Sequence, residues 1–544
     1  MSASSSSGSI KGSEAERSLF EVSAESASVV PVREYAIVVD PRDNLAVVKK
    51  DVPAGLSVRL PDDRIVNVQE AIPSGHRFAI RPIPPGELVL QFGQPIGTSL
   101  GIAEGGWVSC ANMSNDIPIV RGISDDLRTP PPDYIPEAQR ATFEGFRRAD
   151  GRVGTRNYIL IVPTSMCASH EASQISMMSE FTLYQREKYP NVDGVVAIPH
   201  NKGCGCQDGS TIDVMLRTLS NYADHPNVGG VILMDLGCEK TNLSQVEKYL
   251  LKREKKFDKP VAKIGIQEAG GTMAAIERGM REVERMLPEV NLAVRERVPV
   301  SELVLGVKCG ASDAFSGISA NPALGRAADK LVRSGGTVLI TEVPEFCGAE
   351  HILASRARDA EIGRAIYRMV DWYKDYASKF GAVLNQNPSP GNAAGGLLNI
   401  TIKSLGAISK AGTTRIEGVI EYAETPSARG VNLMQGPGYD QESTPALVAA
   451  GATVVVFTTG RGTTIGNAIA PVIKLASNTP VFRRMSQDLD LSAGGIIDGT
   501  ESIDDVGSRV FEHVRQVASG ELQAKAEEHK HREFQFWAEQ TVSL

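Results

Sequence analysis

Four short apolar runs in this chain each halt at a turn-forming or charged residue and deliver a cysteine within a few positions. Tyr158 to Val162 leads through Pro163 to Cys167. Val195 to Ile198 leads through Pro199 and His200 to Cys204 and Cys206. Val231 to Leu236 leads through Gly237 to Cys238, and Leu303 to Val307 leads through Lys308 to Cys309. Runs this short, rich in Val and Ile and closed by Pro or Gly, predict buried strands. Stretches with helical character lie between them, so the pattern predicts an α/β fold with largely parallel sheets covered by helices. In such sheets ligands bind along the edge formed by the strand carboxyl ends. Four thiols carried to one edge would surround one site. The competing explanation is plain packing, because free cysteine often behaves as a small buried hydrophobe.

A chain of 544 residues exceeds what one hydrophobic core supports, so several domains are expected. The Ser-rich start, residues 1–31, reads as a disordered tail. Residues 32–108 carry short strands with closely spaced turns and read as a small β-rich domain. A Pro- and Asp-rich passage, 109–141, reads as a linker. Two α/β blocks follow, 142–298 and 299–544, the second ending in charged, solvated C-terminal helices between Val506 and Phe536. A net charge of −8 and only 6% aromatic residues argue against a nucleic-acid partner. No run approaches the about 18 apolar residues needed to span a bilayer. Seven cysteines in so long a chain suit reduced thiols in a cytoplasmic protein better than a disulfide scaffold.

Several other groups fall where chemistry is done. His200, between a strand and the Gly203–Cys204 turn, is a candidate metal ligand or general base. Glu342 and Glu345 follow the strand Thr337 to Ile340 and are candidate bases or ligands. Lys403 and Lys410 are placed to serve an acidic substrate. Arg461 sits in the glycine-flanked loop Thr458 to Gly466, where its guanidinium fork suits a carboxylate. That loop has neither the lysine of a Walker sequence nor the spacing of a dinucleotide fingerprint. Thiolates are soft ligands that suit zinc, iron and iron–sulfur clusters. The spacing matches no zinc ribbon or cluster motif, so a metal is expected from placement alone.

The residues resemble those of the altronate and galactarate dehydratases over nearly the whole chain from about Ala36. The likeness is carried by Phe143-Glu144-Gly145-Phe146, Gly154-Thr155-Arg156-Asn157, the His200 to Gly205 turn and Gly237-Cys238-Glu239. It continues through Cys309-Gly310-Ala311-Ser312-Asp313, Gly317 to Pro322, Asn387 to Asn392 and Thr459 to Thr463. The β-rich module, with Ser74-Gly75-His76-Arg77-Phe78, looks like the SAF domain of that family. The resemblance implies a hydro-lyase that converts a sugar acid to a 2-keto-3-deoxy acid with the help of iron, as a ferrous ion or an iron–sulfur cluster. It implies Cys167, Cys204, Cys238 and Cys309 as metal ligands. His200, Glu342, Glu345, Lys403 and Lys410 would be catalytic, and Arg461, Asn321, Asp313, Ser312 and His76 would bind substrate. The stretch Thr341 to Glu350 looks more like the altronate branch than the galactarate branch. Ala311 and Lys202 depart from the family pattern, which has glycine and often an aromatic there. The rival expectations are a galactarate dehydratase, a related hydroxy-acid lyase that eliminates sulfite, and a non-enzymatic sugar-acid binding module. The partner expected is a small-molecule sugar acid, with no nucleic acid and no membrane, and a homo-oligomer is allowed.

Overall fold

Each residue of the strand Tyr158–Pro163 is buried, and its two faces feed different cores. Ile159 and Ile161 pack with Ile175 and Val283 on one side, while Leu160 and Val162 pack with Leu219 and Val246 on the other. That two-sided burial is why the run is apolar without alternation. The computed structural model describes residues 29–118, 120–251 and 257–538, so almost all of the tail expected at 1–31 lies outside the described residues. In the first α/β block the strand order is Gly194–Ala197, Tyr158–Pro163, Val228–Asp235, Val261–Gly265, all parallel. The second block holds a seven-stranded parallel sheet in the order Ile416–Ile420, Gly430–Met434, Thr337–Ile340, Val304–Gly310, Val454–Thr459, Val472–Ala476, Leu491–Ser492.

Both sheets begin in the middle and then wind to either side. Tyr158–Pro163 lies between the second and third strands of its sheet, and Val304–Gly310 lies between Thr337–Ile340 and Val454–Thr459. Each reversal leaves a crevice at the strand carboxyl ends. The expectation of a single edge carrying all four cysteines is thereby corrected. Cys167, Cys204 and Cys238 follow strands of the small sheet, whereas Cys309 ends a strand of the large one. Strand Glu296–Pro299 turns back to pair antiparallel with Thr142–Arg147, closing the first block before the second sheet starts.

The N-terminal module is built from three-stranded sheets, among them Ala36–Ile37, Leu45–Val48 and Arg77–Ala79 in antiparallel array. Strand Met113–Ser114 pairs with Gln94–Ser99, so the module continues beyond Val108. It rests on loops at the carboxyl edge of the large sheet. Gly75 and Gly396 meet backbone to backbone: a Cβ on Gly396 would stand 2.1 Å from the Gly75 carbonyl oxygen. Arg77, fully buried, donates to the Gly396 carbonyl, and Asn399 Nδ2 donates to Ile96 O at 2.7 Å. The β-rich domain is thus a cover over that edge.

The expected pair of solvated C-terminal helices is also corrected. One full helix, Ile503–Ser519, is capped by Ser502 and Asp505, and only the single turn Lys525–Glu528 follows it. Beyond that the chain is extended and anchored by aromatic rings. Phe536 packs 4.8 Å from the His200 ring, and Trp537, 1% exposed, stacks on Tyr373 at 6.2 Å. Glu533 accepts from Gly466 N at 2.9 Å. This tail therefore bridges the loop after Val454–Thr459 to the loop after Gly194–Ala197, tying the two carboxyl edges together. No helix among the described residues is long and apolar enough to cross a membrane. Truncating such a buried ring costs about 3–5 kcal/mol. Trp537→Ala is expected to lower the thermal midpoint accordingly; an unchanged midpoint would show that the tail is not an anchor.

Candidate active site

Lys308 is a charged residue inside a buried strand, and its partners define a buried polar cluster at the edge of the large sheet. Its ammonium bonds Glu342 and lies 2.6 Å from Asp440. Lys410 Nζ lies 2.7 Å from Glu342 and 3.4 Å from Glu345, and donates to Cys309 Sγ at 2.9 Å. Lys403 Nζ lies 2.9 Å from Glu345 and donates to Asn387 Oδ1 at 2.8 Å. The Cys309 thiol donates to Glu345 Oε2 at 3.0 Å. All of these side chains except Asp440 are buried. Three ammonium groups face three carboxylates, so the cluster is neutral when the thiol keeps its proton.

The protonation states follow from that balance. Burial opposes charge on Glu345, but Lys403 and Lys410 overcome it and hold its carboxyl well below the usual range. Burial, with the Glu345 charge behind it, pushes Glu342 upward. Burial and then Glu345 push the Cys309 thiol up, which keeps it a thiol. Burial works against charged Lys410, yet Cys309, Glu342 and Glu345 raise it well above its ordinary value. Two residues here are held in left-handed backbone, Glu342 at φ 77° and Ala311 at φ 48°. Such strain in non-glycine residues clusters at functional sites.

Among the described residues, the only three ligand atoms from Cys, His, Asp or Glu within 4.8 Å of one another are those of Cys309, Glu342 and Glu345. The Lys410 ammonium already touches all three of these side chains. A cation occupies the place a metal would take, so this donor set does not fit iron.

The other thiols have a different setting. Cys167, Cys204 and Cys238 are exposed at the carboxyl edge of the small sheet, and Cys206 is buried. Glu239, 3% exposed, ties their loops: it accepts from Thr164, Ser165, Leu236 N and Gly237 N at 2.8–3.0 Å. Burial opposes its charge, and these bonds outweigh it and lower its pKa. His200 is not free to act as base or ligand. Lys202 N donates to its Nδ1 at 3.2 Å, so Nε2 carries the hydrogen and donates to Pro163 O at 3.0 Å. Burial lowers its pKa to about 4. It is a neutral latch on the Cys204 turn, and its expected catalytic role is corrected.

The expected substrate residues divide in the same way. Asp313 is saturated by Ser316, Ser477 and Asn478. Asn321 is spent on Thr458 and Gly406 O. Both hold loops in place, and Gly460 must be glycine because a Cβ there would lie 2.3 Å from the Asp313 carboxyl. Ser312 keeps a buried hydroxyl with no partner among the described residues. Arg461 is exposed, and its guanidinium donates to Gly391 O at 3.2 Å. His76 is half-buried against Trp107 where the β-rich domain meets Ala394, and its Nδ1 has no partner among the described residues. Ser312, Lys403 and Phe92 line a cavity of about 10 Å³ beneath the β-rich domain, room for a single water. Lys308, Asp440 and Glu239 were not singled out from sequence. Lys308 had a signal, since a charge inside an apolar strand must find a partner.

The β-rich domain covers one edge of the second of two parallel α/β blocks, and a buried lysine–carboxylate cluster lies at that edge. Three family models match consecutive parts of the chain. They are the altronate/galactarate dehydratase SAF domain at 34–116, the D-galactarate dehydratase/altronate hydrolase second domain at 145–291, and the D-galactarate/altronate dehydratase C-terminal model at 300–542. The chain is 36% identical to galactarate dehydratase (L-threo-forming) of Escherichia coli, over 89% of this chain and 93% of the relative. It is 34% identical to altronate dehydratase of Bacillus subtilis, over 88% and 94%. It is 33% identical to the (2R)-sulfolactate sulfo-lyase subunit beta of Chromohalobacter salexigens, over 73% and 97%. The chain belongs to the D-galactarate/altronate dehydratase family, and so to the hydro-lyases.

Two consequences can be measured. Glu345 ionises more readily folded than unfolded, where its pKa is about 4.3. It therefore stabilises the fold above that pH, and the contribution drains away as pH falls. Glu345→Gln should flatten the acid limb of stability against pH, measured by denaturant melts; an acid limb as steep as the parent's would contradict the assignment. Ala311 carries a left-handed cost of about 1–2 kcal/mol that glycine avoids. Ala311→Gly should raise the thermal midpoint, and a lower one would show that the Ala311 methyl is needed for packing.

Proposed function

We propose that the protein dehydrates a sugar acid, D-altronate first among the hexonates, to a 2-keto-3-deoxy acid with the assistance of iron. The observation that carries this reading is the Lys403–Glu345–Lys410 cluster beneath the β-rich cap, in a chain whose relatives are named altronate and galactarate dehydratases. The stretch Thr341 to Glu350 favours altronate over galactarate.

Elimination of water from a hydroxy acid removes a weakly acidic proton beside the carboxylate and expels a poor leaving group. Positive charge fixed in a dry site stabilises the enolate that forms. Lys403 and Arg461 both reach the loop Asn387 to Asn392, through Asn387 and Gly391, and can approach one carboxylate from two sides. Lys410 lies behind Lys403, across Glu345, and adds to the field that holds the developing charge. Glu345 is the carboxylate placed to take the α proton. Once the substrate's anion draws Lys403 from it, its basicity rises, because its depressed pKa depends first on that lysine among its charged neighbours. Iron, when bound through thiolates, supplies a Lewis acid for the departing hydroxyl.

Anaerobically iron-loaded protein assayed against a panel of aldonates and aldarates should yield a keto acid from altronate. Turnover of galactarate alone would move the substrate to the aldarates, sulfite release from a sulfonated hydroxy acid would favour the lyase alternative, and binding without turnover would favour a binding module. Arg461→Lys should keep the fold and lose about thirty-fold or more in kcat/KM, the cost of about 2 kcal/mol or more for a lost charge-assisted pair. A value within about threefold of the parent, well short of that tenfold-per-1.4 kcal/mol scale, would remove Arg461 from the site.

A further inference from the structure

Arg77 is a cation that the fold buries without a counter-charge. Its side chain is fully buried, and among the described residues no carboxylate forms an ion pair with it. Lys308, Lys403 and Lys410, buried at the same sheet edge, are each matched by a glutamate. Arg77 meets only dipoles. Its Nε donates to Gln91 Oε1 at 2.5 Å, and its Nη1 donates to the Gly396 carbonyl and, at 3.5 Å, to that of Gly75. Nη2 has no partner among the described residues, and neither has Nε2 of the same Gln91 amide. Burial pulls the guanidinium down to about 10, so it stays charged at neutral pH. A buried charge left unpaired is strongly destabilising, which makes an acceptor beside Nη2 the missing piece.

Backbone geometry brings Cys110 to that charge. Val108 N donates to Arg77 O at 3.0 Å, and Cys110 follows two residues on, in the turn that Asn112 closes onto Ser109. Cys110 Sγ donates to Leu398 O at 3.3 Å, while Arg77 holds the Gly396 carbonyl two residues earlier on the same loop. Two residues span at most about 7 Å. Cys110 is also the ionisable side chain whose charge acts on Arg77. It is exposed although Arg77 is not, so a small reagent from solvent reaches the sulfur. An exposed thiol beside fixed positive charge is the setting in which cysteine reacts. Cys204 also has a cation nearby, Lys240, but that ammonium is already bound to Asp208 at 2.8 Å.

We propose that Cys110 is an oxidation site for hydrogen peroxide and that Arg77 holds the anionic product. One peroxide transfers an oxygen to the sulfur, giving a sulfenic acid and water; a second gives the sulfinic acid and another water. In each step the sulfur loses two electrons and the peroxide O–O bond takes them up. The sulfinic acid then loses its proton, and its oxygens supply the acceptor that Arg77 Nη2 and Gln91 Nε2 lack. The modified side chain pins the β-rich domain to the loop of Gly396 and Leu398 by an ion pair inside the seam. None of this depends on which reaction the protein catalyses.

Treating the full chain with hydrogen peroxide and mapping its peptides by mass spectrometry should show Cys110 gaining two oxygens. Arg77→Gln should slow that gain several-fold. Cys110→Asp, which sets a carboxylate where the sulfinate would sit, tests the pairing without any oxidant and without disturbing Arg77. It should raise the thermal midpoint by about 2 °C or more over Cys110→Ser, and peroxide-treated parent should shift the same way. A second Arg77→Gln change should remove the Cys110→Asp gain if the double variant folds. Peroxide that oxidises another exposed cysteine while Cys110 stays reduced would overturn the proposal. So would a Cys110→Asp midpoint equal to or below that of Cys110→Ser, or an oxidation rate unchanged in folded Arg77→Gln.

Discussion

The buried contact of Lys308, Lys403 and Lys410 with Glu342, Glu345 and Asp440 is the constraint on which the large sheet's edge depends. Removing one partner from such a pair leaves an uncompensated buried charge, at about 3–5 kcal/mol. The six groups come from four places in the chain: the end of Val304–Gly310, the turn after Thr337–Ile340, helix Ile400–Ala407 with the turn after it, and the start of helix Asp440–Ala449. Their mutual neutrality therefore fixes how the strands, that helix and the intervening loops register. It also explains why a triad with the donor atoms and spacing of a metal site is already satisfied: Lys410 is the cation.

Neutrality at rest has a functional side. In the reaction proposed above, an anion entering beside Lys403 would compete with Glu345 for the same ammonium, coupling substrate binding to the release of a base, and burial of that pair would let each charge act through a low dielectric. Gly75 and Gly396 allow the cover to sit backbone to backbone on the loop it closes.

The parallel sheets were legible because strands buried on both faces must be continuously apolar, as in Tyr158–Pro163 and Val454–Thr459. The placement of Glu342, Glu345, Lys403 and Lys410 at one edge was legible only as proximity to strand ends, since sequence does not say that Lys410 packs against Cys309. His200 misled because its turn position looks chemical, whereas two backbone bonds consume both ring nitrogens. The four-thiol edge misled for a topological reason: identical strand-ending patterns occur in two sheets, and pattern alone does not separate them. The C-terminal segment was read as helix from its charges, while Phe534, Phe536 and Trp537 drive it to pack as an extended anchor.

The central claim is that this edge removes a proton beside a carboxylate and expels the neighbouring hydroxyl. Incubation of the iron-loaded protein with D-altronate in deuterium oxide, followed by proton NMR and mass spectrometry of the product, tests it most directly. The account predicts a 2-keto-3-deoxy acid lighter by one water, with a single solvent deuterium at the carbon that lost its hydroxyl. An unchanged substrate, or a product that has lost water without solvent deuterium at that carbon, would contradict it.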